Sequence, residues 1–126
     1  MIQATTKNET YSMNVHLITR QVGDVTVIDV SGRITLGEGS PAIRQKVNGL
    51  ISAEKPKILM NLAKVSYIDS AGIGELVAGF AIAANAGGAL KLLGLTKGTK
   101  ELLRITKPPT VFEVHEEEAN AVQSFA

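Results

Sequence analysis

The sequence predicts an α/β fold in which strands alternate with helices after an opening β-hairpin. Residues of alternating polarity flank a Gly23-Asp24 turn, which is typical of a hairpin. Downstream, short apolar runs alternate with segments whose apolar residues recur at helical spacing. That order favours helices packed on a sheet. We therefore expect a mixed sheet of four to five strands with about four helices packed on it.

The N-terminal quarter of the chain contains the predicted hairpin. Residues 1–14 are polar and aperiodic, so we expect a loose tail or a short extra strand there. A single domain is then expected over residues 15–126. Residues 15–20 and 25–30 predict the two hairpin strands, and Ser31-Gly32 ends the second one.

Local signals mark each later element. Ser40-Pro41 starts a helix, because serine suits the cap and proline suits the first helical position. Residues 57–62 predict a strand buried on both faces, followed by a short loop. Residues 73–84 predict a second helix, closed by Gly87-Gly88. The sequence after residue 88 predicts a strand at residues 89–93, a helix at 97–105, an edge strand at 111–114 and a final helix at 116–125.

Composition limits the classes of function. The chain of 126 residues has no cysteine, which excludes disulfides and thiolate chemistry. Its net charge of +1 gives no strong case for binding nucleic acid. The N-terminus lacks the apolar core of a signal peptide, and no apolar run approaches the ~20 residues of a membrane span. We therefore expect a cytoplasmic protein without membrane insertion.

The most informative segment runs from Ile58 to Val77, where a strand leads to a helix that begins at Asp69-Ser70. Three roles are open to this serine: a helix cap, a hydrolytic nucleophile or a phosphorylation site. Both Asp69 and Ser70 suit a cap. Capping and phosphorylation are compatible, because a phosphate at a helix N-terminus meets free N–H groups and a favourable dipole.

Catalysis is poorly supported by the sequence. A nucleophile elbow has glycine two residues before its serine, whereas Ile68 stands there in this chain. The two histidines, His16 and His115, are far apart in sequence, and no cluster of acids and histidines has metal-ligand spacing. The segment Gly94–Lys100 lacks the Gly-Lys-Ser/Thr order of a phosphate-binding loop. We therefore predict no enzyme activity, no metal and no cofactor.

The segment Asp69-Ser70-Ala71-Gly72-Ile73-Gly74 resembles the signature of the STAS domain, and within that family the bacterial anti-sigma-factor antagonists. Asn61-Leu62, Val65 and Ile68 precede the motif as they do in the family. The order of elements from Val15 to Phe125 and the segment Ser31–Ile34 are also similar. The resemblance implies a STAS-like fold with helices on one side of the sheet, and a regulatory role.

The resemblance implies a binding protein that is switched by phosphorylation. Unphosphorylated, it would sequester an anti-sigma factor that is also a serine kinase, which frees the sigma factor. The kinase would phosphorylate Ser70, and a metal-dependent serine phosphatase would reverse the reaction. Ala71 replaces the second motif hydroxyl, so Ser70 is the only one. The residues implied in partner binding are Asp69, Ser70, Ala71, Gly72, Gly74 and Thr35.

Two features leave alternatives open. Thr35 stands near the position where many antagonists carry an acidic residue, which leaves the partner's identity open. A STAS scaffold or accessory subunit of a stress-sensing or membrane lipid-transport complex would keep the same motif. A neighbouring gene for a histidine-kinase-like serine kinase would favour the switch.

Overall fold

The computed structural model describes residues 4–5, 9–11, 14–37, 39–108 and 112–126. Within these ranges, seven strands form one sheet in chain order: β1 Ala4–Thr5, β2 Glu9–Tyr11, β3 Val15–Val22, β4 Val25–Ile34, β5 Lys57–Ile68, β6 Ala89–Leu93 and β7 Val114–His115. The same ranges contain four helices: α1 Gly39–Ser52, α2 Ser70–Asn85, α3 Lys97–Thr106 and α4 Glu118–Gln123. The chain is therefore of the mixed α/β class that the sequence predicted.

The sheet changes from antiparallel to parallel at β4. Strands β1 to β4 pair antiparallel, whereas β4, β5, β6 and β7 pair parallel. Parallel neighbours require crossovers, and α1, α2 and α3 provide them in turn. The carboxyl ends of β4, β5 and β6 consequently lie at one edge of the sheet. Binding sites in α/β folds lie at that edge.

Apolar side chains form a core on each side of the sheet. The larger core lies under the crossover helices and contains fully buried Ile43, Met60 and Leu76. The smaller one joins Leu59 and three other strand residues to Ala121 of α4. Neighbouring residues of β5 therefore face opposite cores, which confirms the prediction of a strand buried on both faces.

Helix α4 lies on the face opposite the crossover helices, so the helices are not confined to one side of the sheet. The apolar side chains of Leu59 and its neighbours require cover on that face. Arg20 of β3 fastens the helix through two hydrogen bonds to the carboxylate of Glu118, at 2.9 and 2.5 Å. Its guanidinium also donates to Asp29 of β4 at 2.7 Å.

The sheet has more strands than the four to five predicted, because β1 and β2 add two strands before the hairpin. Backbone pairing rather than an apolar pattern holds them: Thr10 of β2 pairs with Leu17 of β3. Thr10 is nevertheless only 5% exposed. Of the predicted edge strand, residue 114 is paired in β7 and residue 111 lies outside the described residues. The predicted start of the domain at residue 15 stays a prediction.

Strand β5 differs most from prediction, because residues 63–68 continue the strand instead of forming a loop. Its pairing with β4 shifts register twice, between Asp29 and Ser31 and between Gly32 and Arg33. Each shift gives β5 one more residue than β4. The buried residues Leu62, Val65 and Ile68 are therefore spaced by three, and this spacing hides the strand from a search for alternation.

Candidate functional site

The site is built where two parallel strands end side by side. Ile34 at the end of β4 pairs with Ile68 at the end of β5. The backbone N–H of Asp69 then donates to the carbonyl of Ile34 at 3.2 Å. Helix α2 therefore starts directly at the edge of the sheet, with its first turn held against β4.

Asp69 is the residue that caps α2. Its side chain accepts a hydrogen bond from the N–H of Gly72 at 2.9 Å, the geometry of an N-cap. The other carboxylate oxygen accepts from the N–H of Leu36 at 3.3 Å. One side chain thus fixes both the helix start and the turn that follows β4, and this turn contains Thr35.

Ser70 is the first residue of α2, and its side chain is exposed. Because Asp69 supplies the cap, the hydroxyl of Ser70 is not used for that purpose. Among the residues that the structure describes, the hydroxyl makes no hydrogen bond. An exposed hydroxyl without a partner, at the N-terminus of a 16-residue helix, is accessible to a modifying enzyme.

The two motif glycines lie in opposite environments. A Cβ added at buried Gly72 would lie 2.7 Å from the carbonyl oxygen of Ile34 and 2.6 Å from a side-chain carbon of Ile68. Gly72 therefore permits the close approach of α2 to the sheet. A Cβ at exposed Gly74 would meet no atom within 4 Å, so packing inside this chain does not require glycine there.

Exposed apolar side chains gather at this end of the molecule. Of the four large apolar residues that are exposed in the described part of the chain, three lie here: Leu36 at 78%, Tyr67 at 48% and Ile105 at 62%. Leu36 belongs to the turn held by Asp69, and the other two line a groove beside Ser70. Exposed apolar clusters mark interaction surfaces in proteins.

The groove has a volume of about 410 Å³ and separates the end of β5 from α3. One wall is the end of β5 with the start of α2, and the other runs along α3 from its cap, Thr96, to Ile105. The residues that line it are Ser66, Tyr67, Ile68, Asp69, Ser70, Thr96, Gly98, Thr99, Glu101, Leu102 and Ile105.

The lining of the groove contains two acidic side chains, Asp69 and Glu101, and no lysine or arginine. Two helices begin at it, and neither has an acidic residue in its first turn. Thr96 caps α3 by accepting from the N–H of Thr99 at 3.2 Å, and Lys97 follows it. Glu101 is an acid of the lining, and its carboxylate accepts hydrogen bonds from Arg104 at 3.1 and 2.5 Å. Helix N-termini add partial positive charge.

Two contacts stiffen the surroundings. The guanidinium of Arg33 lies 4.6 Å from the ring centre of Tyr67, a cation–π contact that fixes the ring at the groove. Arg44 of α1 donates two hydrogen bonds to Glu75 of α2, at 2.8 and 3.0 Å. The second contact holds the first turns of α2 against α1.

The structure brings the predicted site residues together. Thr35, Asp69 and Ser70 lie at one edge of the sheet, Gly74 is exposed one turn after Ser70, and Gly72 lies beneath them. Sequence reasoning missed Leu36, Tyr67 and Ile105, because an isolated apolar residue gives no sign of its exposure. Ile105 follows Leu102 at helical spacing, so the sequence contained no signal of its exposure.

The described residues contain no group of three His, Cys, Asp or Glu side chains able to hold a metal ion. None of the helices in the described ranges has both the length and the apolar character needed to cross a membrane.

Comparison with known proteins gives independent evidence on the family of this chain. A family profile described as "Mlab, STAS domain" matches residues 18–107. The chain is 27% identical over 111 residues to the anti-sigma-B factor antagonist of Bacillus subtilis (strain 168). The aligned region covers 88% of this chain and 100% of that protein.

Two solved structures are similar in fold. An anti-sigma factor antagonist from Mycobacterium paratuberculosis superposes with a TM-score of 0.76 at 19% identity, covering 88% of this chain and 93% of that one. The Bacillus cell fate determinant SpoIIAA in its phosphorylated form superposes with a TM-score of 0.65 at 18% identity, covering 86% and 98%.

Proposed function

Because the chain belongs to the STAS domain family, we propose that it is an anti-sigma-factor antagonist whose binding is switched by phosphorylation of Ser70. In the unphosphorylated state it binds an anti-sigma factor that is also a serine kinase, and the sigma factor is released. A metal-dependent serine phosphatase restores the binding form. The protein acts in the cytoplasm as a binding protein and not as an enzyme.

The observation that carries this proposal is the separation of capping from Ser70. Asp69 fully supplies the cap, so the hydroxyl of Ser70 is exposed and has no structural task. A serine needed as a cap would lose its hydrogen bond on phosphorylation. Here the modification leaves the helix start intact, since a phosphate at a helix N-terminus is stabilised by the dipole.

Phosphorylation would change the surface much more than the fold. It adds a charge of about −1.5 to −2 next to the exposed apolar side chains of Leu36, Tyr67 and Ile105. A partner that covers those side chains would bury the phosphate as well. Burying an unpaired charge costs several kcal/mol, and ~1.4 kcal/mol corresponds to a tenfold change in affinity.

The proposed partner surface is the exposed part of the motif with its surroundings. Ser70 and Gly74 contact the partner directly, and the absence of a side chain at Gly74 lets a partner backbone approach the helix. Thr35 and Ala71 flank that contact. Asp69 and Gly72 act from below, by fixing the helix start against the sheet.

The proposal predicts that phosphorylation and binding depend on the same hydroxyl. Incubation with the cognate anti-sigma-factor kinase and ATP should add one phosphate, located by mass spectrometry at Ser70 and absent from Ser70→Ala. Ser70→Asp should lower affinity for the kinase by at least about tenfold. Its free energy of unfolding should stay equal or rise by roughly 0.3–1 kcal/mol, because a carboxylate at a helix N-terminus is favourable.

Asn48→Asp is the matched control, because it adds one negative charge at an exposed position of α1. It should leave affinity unchanged. A phosphate at Thr35 or Ser66, or full affinity in Ser70→Asp, would contradict the proposal. Binding of a non-kinase membrane-complex partner that is insensitive to Ser70→Asp would instead favour a STAS scaffold or accessory subunit.

A further inference from the structure

Strand β5 extends beyond its neighbour β6 and has an open edge there. Residues 57–61 pair with β6, which ends at Leu93. Among the described residues, the backbone of residues 64–68 is hydrogen-bonded to β4 alone. The edge of this segment that faces away from β4 therefore has no strand partner in the described part of the chain. Strand edges of this kind accept an additional strand.

The backbone of Ile68 lies at this open edge. Asp69, the next residue, donates its N–H to the carbonyl of Ile34 in β4. Backbone groups of consecutive strand residues point to opposite sides, so the N–H and C=O of Ile68 point away from β4. Neither group has a backbone partner among the described residues, although Ile68 is only 6% exposed. Such unpaired groups are rare in proteins, and a bound strand would pair them.

Helix α3 stands opposite the open edge without closing on it. The space between them is the groove of about 410 Å³ described above, within the size range of ligand sites in proteins. Ser66 and Ile68 of the strand line this groove. Tyr67 on the strand side and Ile105 on the helix side expose apolar surface to it. An open strand edge beside apolar pockets is the arrangement with which proteins bind extended peptides.

The lining of the groove has no charge free to pair with a charged occupant. It holds no lysine or arginine, and its two acids are already bound within the chain. Asp69 accepts hydrogen bonds from the N–H groups of Gly72 and Leu36. Glu101 accepts two from the guanidinium of Arg104. A charged side chain of an occupant would lose water there without gaining a counter-ion, so the occupant that fits is uncharged.

We propose that the groove binds an extended, uncharged segment of the partner protein, which adds a strand to the open edge of β5 at residues 66–68. Three residues of strand span about 10 Å. The backbone of the segment pairs with the free groups of Ile68, and its apolar side chains lie against Tyr67 and Ile105. This proposal rests on the proposed function, because it takes the bound protein to be the one that Ser70 controls.

The same groove explains how Ser70 controls binding, because Ser70 is part of its lining. A phosphate on Ser70 adds a charge of about −1.5 to −2. The lining offers no lysine or arginine to pair with that charge. A segment bound in the groove would remove water from the phosphate without replacing it, and an unpaired charge is costly to bury. Phosphorylation thus expels an uncharged segment through desolvation, without any acid in the segment.

A displayed library of random octapeptides, selected against the full chain, tests the chemistry of the occupant. Selected peptides should be depleted in Asp, Glu, Lys and Arg and should carry apolar residues at alternate positions. Their affinity should fall at least about tenfold both in Ile105→Asp and in Ile105→Lys, because either charge would be buried unpaired. Ile105 is 62% exposed in the free chain, so the loss of binding is not caused by unfolding.

Asn48→Asp and Asn48→Lys are the matched controls, because they introduce the same charges at an exposed position of α1 outside the groove. Both should leave peptide affinity unchanged. Phosphorylation of Ser70 should lower the affinity of the selected peptides at least about tenfold.

Pairing with the open edge is tested on the backbone of a selected peptide. Methylation of a peptide nitrogen removes one N–H donor, and alternate donors of a bound strand face β5. Methylation at one set of alternate positions should lower affinity at least about tenfold, whereas methylation at the other set should leave it unchanged. In the complex, amide hydrogen exchange of Ile68 should slow at least about tenfold, and more than that of Tyr67, whose N–H faces β4.

Several results would overturn the proposal: selected peptides rich in charge of either sign, no enrichment at all, or equal effects of methylation at the two sets of positions. Affinity that survives Ile105→Asp or rises in Ile105→Lys would do the same. A dimer of the chain that Ile105→Asp dissociates would assign the groove to a second copy. These failures are distinct from failure of the proposed function, because kinase phosphorylation of Ser70 is measured without the peptides.

Discussion

The two halves of β5 show how one strand can serve the core and the site in turn. The first half, Lys57–Asn61, pairs with strands on both sides, and Ile58, Leu59 and Met60 are all buried. The second half pairs with β4 and buries every third residue, while Lys64 and Tyr67 are exposed. The first half therefore stabilises the fold, and the second half supplies surface.

The difference arises from the two register shifts and the early end of β6. The register shifts interrupt the regular alternation of β5, and the end of β6 at Leu93 leaves one edge of residues 64–68 without a strand partner in the described part of the chain. Bulges are common next to functional sites because they redirect side chains in this way. Substitutions in the two halves should consequently affect different properties, stability in the first and binding in the second.

The largest contrast is expected between Met60→Ala and Tyr67→Ala. Met60 is fully buried in the larger core, so its truncation should lower the free energy of unfolding by about 2–5 kcal/mol. Tyr67→Ala should lower it by about 1 kcal/mol or less, because the ring is half exposed. Partner affinity should fall at least about tenfold in Tyr67→Ala. Urea titration and a binding assay on both variants would reveal any reversal of this order.

The two motif glycines of α2, Gly72 and Gly74, provide the next contrast. Gly72→Ala should cost roughly 1–3 kcal/mol of stability, because the new Cβ meets the backbone of Ile34. Gly74→Ala should instead raise stability by up to about 1 kcal/mol, since alanine favours the helix and meets no atom. Thermal unfolding of Gly72→Ala and Gly74→Ala would measure both changes in stability. Equal effects would show that α2 is not packed closely at Gly72.

Asp69 links the end of β5 to the turn after β4, so its substitution should lower both stability and partner affinity. Asp69→Ala should lower stability by about 1 kcal/mol, the usual cost of removing a helix cap. It should also weaken partner binding, because Leu36 loses its tether. Asp69→Asn keeps an acceptor and should restore most of the stability.

The smallest effect is expected at the ion pair of Arg20 with Glu118, the polar clamp that holds α4 over the first half of β5. Hydrogen bonding from Arg20 lowers the pKa of Glu118 below its ordinary value of 4.5. A lowered pKa stabilises the fold at pH above that ordinary value, and the contribution disappears as pH falls through the lower, folded-state value. Because the pair is partly exposed, we expect it to contribute about 0.5 kcal/mol.

Unfolding followed from neutral pH to about pH 3 should therefore show a smaller loss of stability in Glu118→Gln than in the unsubstituted chain. Glu117→Gln removes an exposed carboxylate next to it and is the matched control. An identical acid profile for Glu118→Gln and the unsubstituted chain would show that the clamp does not hold α4.

Much of the site was predictable because its signals are local. The Asp69-Ser70 pair, the apolar spacing of α2 and the turn at Gly23-Asp24 each depend on neighbours in sequence, and the structure confirms the elements that they predicted. That Ser70 is the phosphorylated residue remains a prediction of the family resemblance. The choice between Asp69 and Ser70 as the cap was open, because both side chains can accept the same hydrogen bond.

The α/β class, the order of the later elements and the position of the motif follow from the order of residues, since periodicity and capping act within a few residues. Tertiary structure alone decided which strands are paired on both sides, that residues 63–68 continue β5, and that α4 covers the second face. It also decided that Leu36, Tyr67 and Ile105 are exposed around Ser70. Strand pairing and side-chain exposure depend on segments far apart in the chain, so a local sequence pattern does not predict them.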